Sequence, residues 1–181
     1  MKKFFQFLIL LLCCFQVAAQ TPVAYYPFTG NANDAAGTNN GTVSGATLTT
    51  DRFGNANSAY SFDGVNDNIT FNQPWTTVTD NFAISLWIKP NVLGGSILTN
   101  GQNSFPNASP YNGYSIKFGT RPVGDMNGVA SFNGGTDILA TGNWYQIVFV
   151  RENGVAKLYV NGNLQPNTRQ LSCLLIAVNI L

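Results

Sequence analysis

Residues 144–164 read WYQIVFVRENGVAKLYVNGNL, and this stretch decides the fold. From Trp144 to Val150 nearly every residue is apolar, as in a strand covered on both faces and therefore central in its sheet. Asn153-Gly154 then interrupts the run, Val155 to Val160 resumes it, and Asn161-Gly162 interrupts it again before a short strand from Asn163. Type I′ hairpin turns need positive φ at both central residues, which Asn and Gly tolerate best. The stretch therefore predicts a three-strand antiparallel meander.

The same grammar extends outward. Asn-Gly occurs seven times, at 40–41, 100–101, 112–113, 127–128, 133–134, 153–154 and 161–162, and Asp63-Gly64 is a close relative. Each is read as a turn. Phe82, Ile84, Leu86 and Ile88 alternate with Ala83, Ser85, Trp87 and Lys89 in a strand closed by Pro90, and Tyr114, Ile116 and Phe118 alternate with Ser115 and Lys117. Such period-2 patterning with almost no helical periodicity predicts an all-β chain. Gly94 to Pro110 carries one short apolar pair, Ile97-Leu98, and reads as a strand flanked by a long loop. Many short strands separated by Gly, Pro and Asn turns, with no crossover helices, predict an antiparallel two-sheet β-sandwich of jelly-roll type.

The N-terminus is read as a secretory signal peptide over residues 1–19. Lys2 and Lys3 precede an apolar run from Phe4 to Phe15, and Val17-Ala18-Ala19 offers small residues for cleavage before Gln20. The run falls short of the roughly 20 residues that span a bilayer, so no membrane insertion of the mature chain is expected. Without Lys2 and Lys3, seven basic residues face eight acidic ones. That near-neutral balance disfavours nucleic acid and anionic membranes as partners. Charged residues make up 9% of the chain, against about 25% in ordinary proteins. Surface polarity therefore rests on Asn, Thr, Ser and Gly, as suits a protein that faces sugars. Only Cys173 lies outside the signal, so no intrachain disulfide is expected. The chain has no histidine, which removes most zinc sites and any Ser-His-Asp or Cys-His nucleophile. With a single glutamate, Glu152, only an unusual pair of aspartates could serve as the two carboxylates of a glycosidase, so the chain is not expected to be an enzyme.

Four stretches in order carry a resemblance. They are Ala24-Tyr25-Tyr26-Pro27-Phe28 with Asn33-Asp34-Ala35-Ala36-Gly37 and Asn40-Gly41; Ser61 to Ile69; Phe82 to Pro90; and Asn143-Trp144-Tyr145 through Lys157 to Gly162. From about Val23 to Leu164 the chain resembles the laminin-G-like, pentraxin-related branch of the concanavalin A-like lectins. The resemblance implies one sandwich domain, placed at residues 20–166, and a binding module rather than an enzyme. It departs at residues 167–181, where an apolar tail stands in place of the family's further strands. The expectation is a truncation or frameshift near Pro166, the alternative being that the tail replaces a missing strand.

Candidate site residues follow. The resemblance implies a calcium role for Asp67-Asn68, joined by Asp63 in the same acidic loop, because Ca²⁺ takes six to eight oxygens from carboxylates, amides and carbonyls. In the alternative, Asp63 makes a turn and Asp67 bonds the loop backbone. Asp34 is a second calcium candidate by resemblance, or an Asx-turn. Aromatic faces that could stack on a sugar ring are Trp75, Phe105, Tyr111 and Tyr114, whereas Trp87 and Trp144 are assigned to the core. The expected function is secreted or cell-surface binding of a glycan, in a calcium-dependent or calcium-independent manner. The alternatives are binding of an extracellular protein, an adhesive role within a larger protein, or a nonfunctional fragment.

Overall fold

The computed structural model describes residues 21–72, 81–100, 114–118, 122–126, 130–132 and 139–166. All twelve regular elements in these residues are strands, and every ladder is antiparallel. The meander forms as the sequence predicts. β10 (Tyr145–Glu152) pairs with β11 (Val155–Val160), which pairs with β12 (Asn163–Leu164), and β5 (Phe82–Ile88) closes the other side of β10. β10 is thus an interior strand. Its two turns have the backbone that the Asn-Gly pairs invite, with φ of 50° and 80° at Asn153 and Gly154 and 49° and 81° at Asn161 and Gly162. Both turns are tied down by amides. Asn81 and Asn153 exchange two hydrogen bonds, and the Asn161 carboxamide accepts from the Gln146 amide at 2.8 Å.

A second four-stranded sheet runs in the order β6 (Ser96–Asn100), β7 (Tyr114–Phe118), β8 (Pro122–Met126), β9 (Ala130–Phe132). A register shift between Ser96 and Leu98 marks a bulge in β6. It accounts for the adjacent pair Ile97 and Leu98 both packing on the core, because an extra residue breaks the alternation of faces. The core lies between these two sheets. Ile147 and Phe149 of β10, Leu158 and Val160 of β11, Ile116 of β7 and Leu139 are almost wholly buried, with Phe82, Ile84, Leu86 and Ile88 packed around them. At about 1.5–3 kcal/mol for each large buried side chain, this cluster is the main source of cohesion. The fold is an all-β sandwich.

The N-terminal residues form two smaller ladders: β1 (Gly41–Ser44) with β4 (Asn68–Phe71), and β2 (Thr47–Thr49) with β3 (Ala59–Ser61). Around them Tyr26 packs on Phe28 and Phe71, and Phe28 meets Tyr60 edge-on with 5.3 Å between ring centroids. Two turn assignments change here. Asn40-Gly41 is not a hairpin turn, since Gly41 opens β1. A Cβ on Gly41 would lie 2.7 Å from Ile69 and 3.1 Å from Ala32, so glycine serves close packing there. Asp63-Gly64 is not a hairpin tip either, because β3 and β4 pair with different strands. The Asn-Gly pairs at 100–101, 112–113, 127–128 and 133–134 lie wholly or partly outside the described residues, as do the signal segment 1–19 and the tail 167–181. Among the described residues no helix is long and apolar enough to cross a membrane.

Candidate functional site

Three aspartates organise the N-terminal loops, each through backbone amides. Asp34 is buried, and its Oδ1 accepts from the amides of Tyr25 and Ala36, both at 3.0 Å. Its own amide donates to the Asn40 carboxamide. The Tyr25 amide foremost holds the Asp34 carboxyl below the usual carboxylate range; burial opposes this, and amides at Ala36, Gly37 and Asn39 reinforce it. A Cβ on Gly37 would sit 2.8 Å from Asp34 Oδ2, which explains the glycine three residues on. Asp51 accepts from the amides of Phe53 and Asn55 through Oδ1 and from the Asn55 side chain through Oδ2.

In the third loop, Asp63 Oδ1 accepts from the amides of Val65 and Asn66, and Asp67 Oδ2 accepts from the Asp63 amide at 2.8 Å. The other Asp67 oxygen rests on Gly45, where a Cβ would be 1.9 Å away. Asn68 donates to the Asn66 carbonyl. The Val65 amide is the main cause that keeps the Asp63 carboxyl below its usual range. Asp63 and Asp67 thus share a loop and brace its backbone, while Asp34 braces another. Among the described residues no three acidic, His or Cys side chains gather as a metal cluster.

The aromatic candidates divide differently. Trp75, Phe105 and Tyr111 lie outside the described residues, and Tyr114 is placed by its backbone as the first residue of β7. Trp87 overturns its core assignment. It alternates with the core-facing Leu86 and Ile88 and is 41% exposed on the outer face of β5. Trp144 is half-buried just ahead of β10.

Above Trp87 stands a group that the sequence reading passed over. The guanidinium carbon of Arg52 lies 4.4 Å from the Trp87 ring centroid and 4.1 Å from that of Phe53. Phe53 is 73% exposed. The Asp51 carboxylate fixes the loop that carries both residues by capping its amides. No described carboxylate forms an ion pair with Arg52; the ion pair among described residues is Lys157 with Glu152 at 2.9 Å. The signal available in the sequence was a large aromatic beside an arginine within the polar segment 51–57, where no strand pattern calls for one.

The outer face around this group is accessible and mixed. Gln146 lies opposite Trp87 in the register and donates to Ser85 Oγ at 3.4 Å, and Lys89 is exposed just beyond the end of β5. Toward the far edge, Val155 and Leu164 are also exposed.

A laminin-G family model described as the concanavalin A-like lectin/glucanases superfamily matches residues 62–172, more than half of the chain. The chain belongs to this superfamily. The matched span begins at Phe62 and takes in β4 to β12, so it covers both four-stranded sheets of the lectin-type sandwich. Comparison with curated proteins and with solved structures returned no match. Membership in the concanavalin A-like superfamily suggests a module that binds carbohydrate or protein.

Proposed function

We propose that this chain is a carbohydrate-binding module that acts outside the cell or at its surface. The observation that carries the reading is Trp87: an exposed indole on the outer face of a lectin-type sheet, flanked by amide, hydroxyl and cationic side chains. The exposed part of the indole offers apolar surface to the C–H groups of a pyranose, and Gln146 and Ser85 offer hydroxyl partners beside it. Placement outside the cell rests on the N-terminal pattern of Lys2-Lys3, apolar run and Val17-Ala18-Ala19.

Four of the described acidic residues lack the upward shift of a general acid. Asp34, Asp51, Asp63 and Glu152 are all held below the usual carboxylate range. A general acid needs the opposite shift. Calcium enters this reading only through the resemblance. Asp63, Asp67, Asn68 and Asp34 would be its ligands.

The exposed Val155 and Leu164 favour a second reading, in which the far edge of the same sheet docks a protein. Binding of the purified chain to immobilised glycans, with and without competing free sugar, separates the two. Retention that free sugar abolishes supports the carbohydrate reading. Absence of glycan retention, with retention of an extracellular protein that free sugar leaves intact, supports the docking reading instead.

A further inference from the structure

We infer that Arg52, Phe53 and Trp87 form a subsite for an acidic sugar, a uronate residue within a polysaccharide. This inference rests on the carbohydrate-binding reading and deepens it by naming the ligand's charge. An arginine in water is a mobile, fully hydrated cation. Here its guanidinium carbon is within 4.5 Å of two aromatic centroids, on a loop braced by the Asp51 carboxylate. Cation–π contact with both rings holds the guanidinium in place, and its N–H donors make no ion pair with a described residue. The planar fork of donors matches a carboxylate, which it can hold by two parallel bonds.

Charge on the surrounding surface points the same way. Arg52 makes no ion pair with a described residue, and Lys89 extends the outer face of β5 two residues beyond Trp87 with its side chain exposed. The nearest carboxylate in sequence, Asp51, is occupied by Phe53 and Asn55 amides and by the Asn55 side chain. Asp51 carries a carboxylate charge that acts on Arg52, and two cations beside two exposed rings still favour an anion that carries an apolar ring face. Uronate sugars have both. Ser85 and Gln146, already bonded to each other on the same face, lie beside Trp87 and offer partners for sugar hydroxyls.

The test titrates the purified chain with hexagalacturonate, with its fully methyl-esterified form, and with the neutral hexasaccharides of cellulose and starch. The wild-type chain is expected to bind hexagalacturonate, and esterification is expected to weaken binding at least tenfold. Arg52→Ala and Trp87→Ala should each weaken hexagalacturonate binding at least tenfold, with thermal unfolding close to wild type because both side chains lie on the surface. Arg52→Lys keeps the charge without the planar fork and should restore only part of the loss. Hexagalacturonate binding that is indifferent to Arg52→Ala, or binding of neutral hexasaccharides alone, overturns the acidic subsite while the carbohydrate-binding reading stands. No binding to any of these sugars or to immobilised glycans overturns both.

Discussion

Gly45 and Asp67 show how tightly single atoms are specified. Gly45 has φ of +78°, a conformation that costs an L-residue about 1–2 kcal/mol, and the Asp67 carboxylate occupies the place of its missing Cβ. Gly45→Ala is expected to destabilise the chain by at least that amount. Asp67→Ala in the same background should recover the steric part and leave the backbone part, a non-additivity that chemical denaturation of the single and double variants measures. The amide-bound aspartates have a matching pH signature. A carboxyl whose folded pKa lies below its unfolded value stabilises the fold above the unfolded value, about 3.9 for Asp, and that contribution is lost as pH falls through the folded value. With Asp34, Asp51 and Asp63 all shifted downward, the melting midpoint should hold from neutral pH to about 5 and then fall steadily below about 4. Asp34→Asn should flatten that acid limb. An unchanged limb in that variant would show that Asp34 does not anchor its loop. At this scale the sequence showed which loops were acidic but not where each oxygen points. The orientation of Asp67 is set by Gly45, which stands 22 positions earlier in the chain.

Strands and turns were more legible than side-chain contacts. The meander from Tyr145 to Leu164 was readable because apolar periodicity and turn chemistry agree there, and Asn153-Gly154 and Asn161-Gly162 adopt the positive φ that a type I′ turn demands. Gly154→Ala should cost about 1–2 kcal/mol for the same left-handed reason. Asn40-Gly41 misled because the same dipeptide can answer to packing, and Ile69, Phe71 and Ala32 crowd that glycine. Trp87 misled because bulk suggested burial. Alternation already placed it on the face opposite Leu86 and Ile88, and the structure follows the alternation. The two faces of β10 should respond differently. Phe149→Ala empties a wholly buried site and should cost about 3–5 kcal/mol, a large share of the roughly 5–15 kcal/mol that holds an ordinary domain together. Val148→Ala, on the half-buried outer face, should cost markedly less, and equal losses in urea denaturation would contradict the assignment of faces.

For the molecule as a whole, one core between two four-stranded sheets leaves the outer face of the β12-β11-β10-β5 sheet to present its side chains, among them the exposed Trp87, Val155 and Leu164. A ligand that binds only the folded state must raise the melting temperature. Because no three acidic, His or Cys side chains gather among the described residues, the midpoint is expected to be the same in calcium and in chelator. A rise with calcium would reassign Asp63, Asp67 and Asn68 as ligands. Whether this lectin-type sandwich binds carbohydrate through its exposed indole, as proposed, is answered by titrating the purified chain with free oligosaccharides and following tryptophan fluorescence. A saturable change with at least one sugar, lost in Trp87→Ala, is expected. No saturable change with any sugar, or one that survives Trp87→Ala intact, would contradict it.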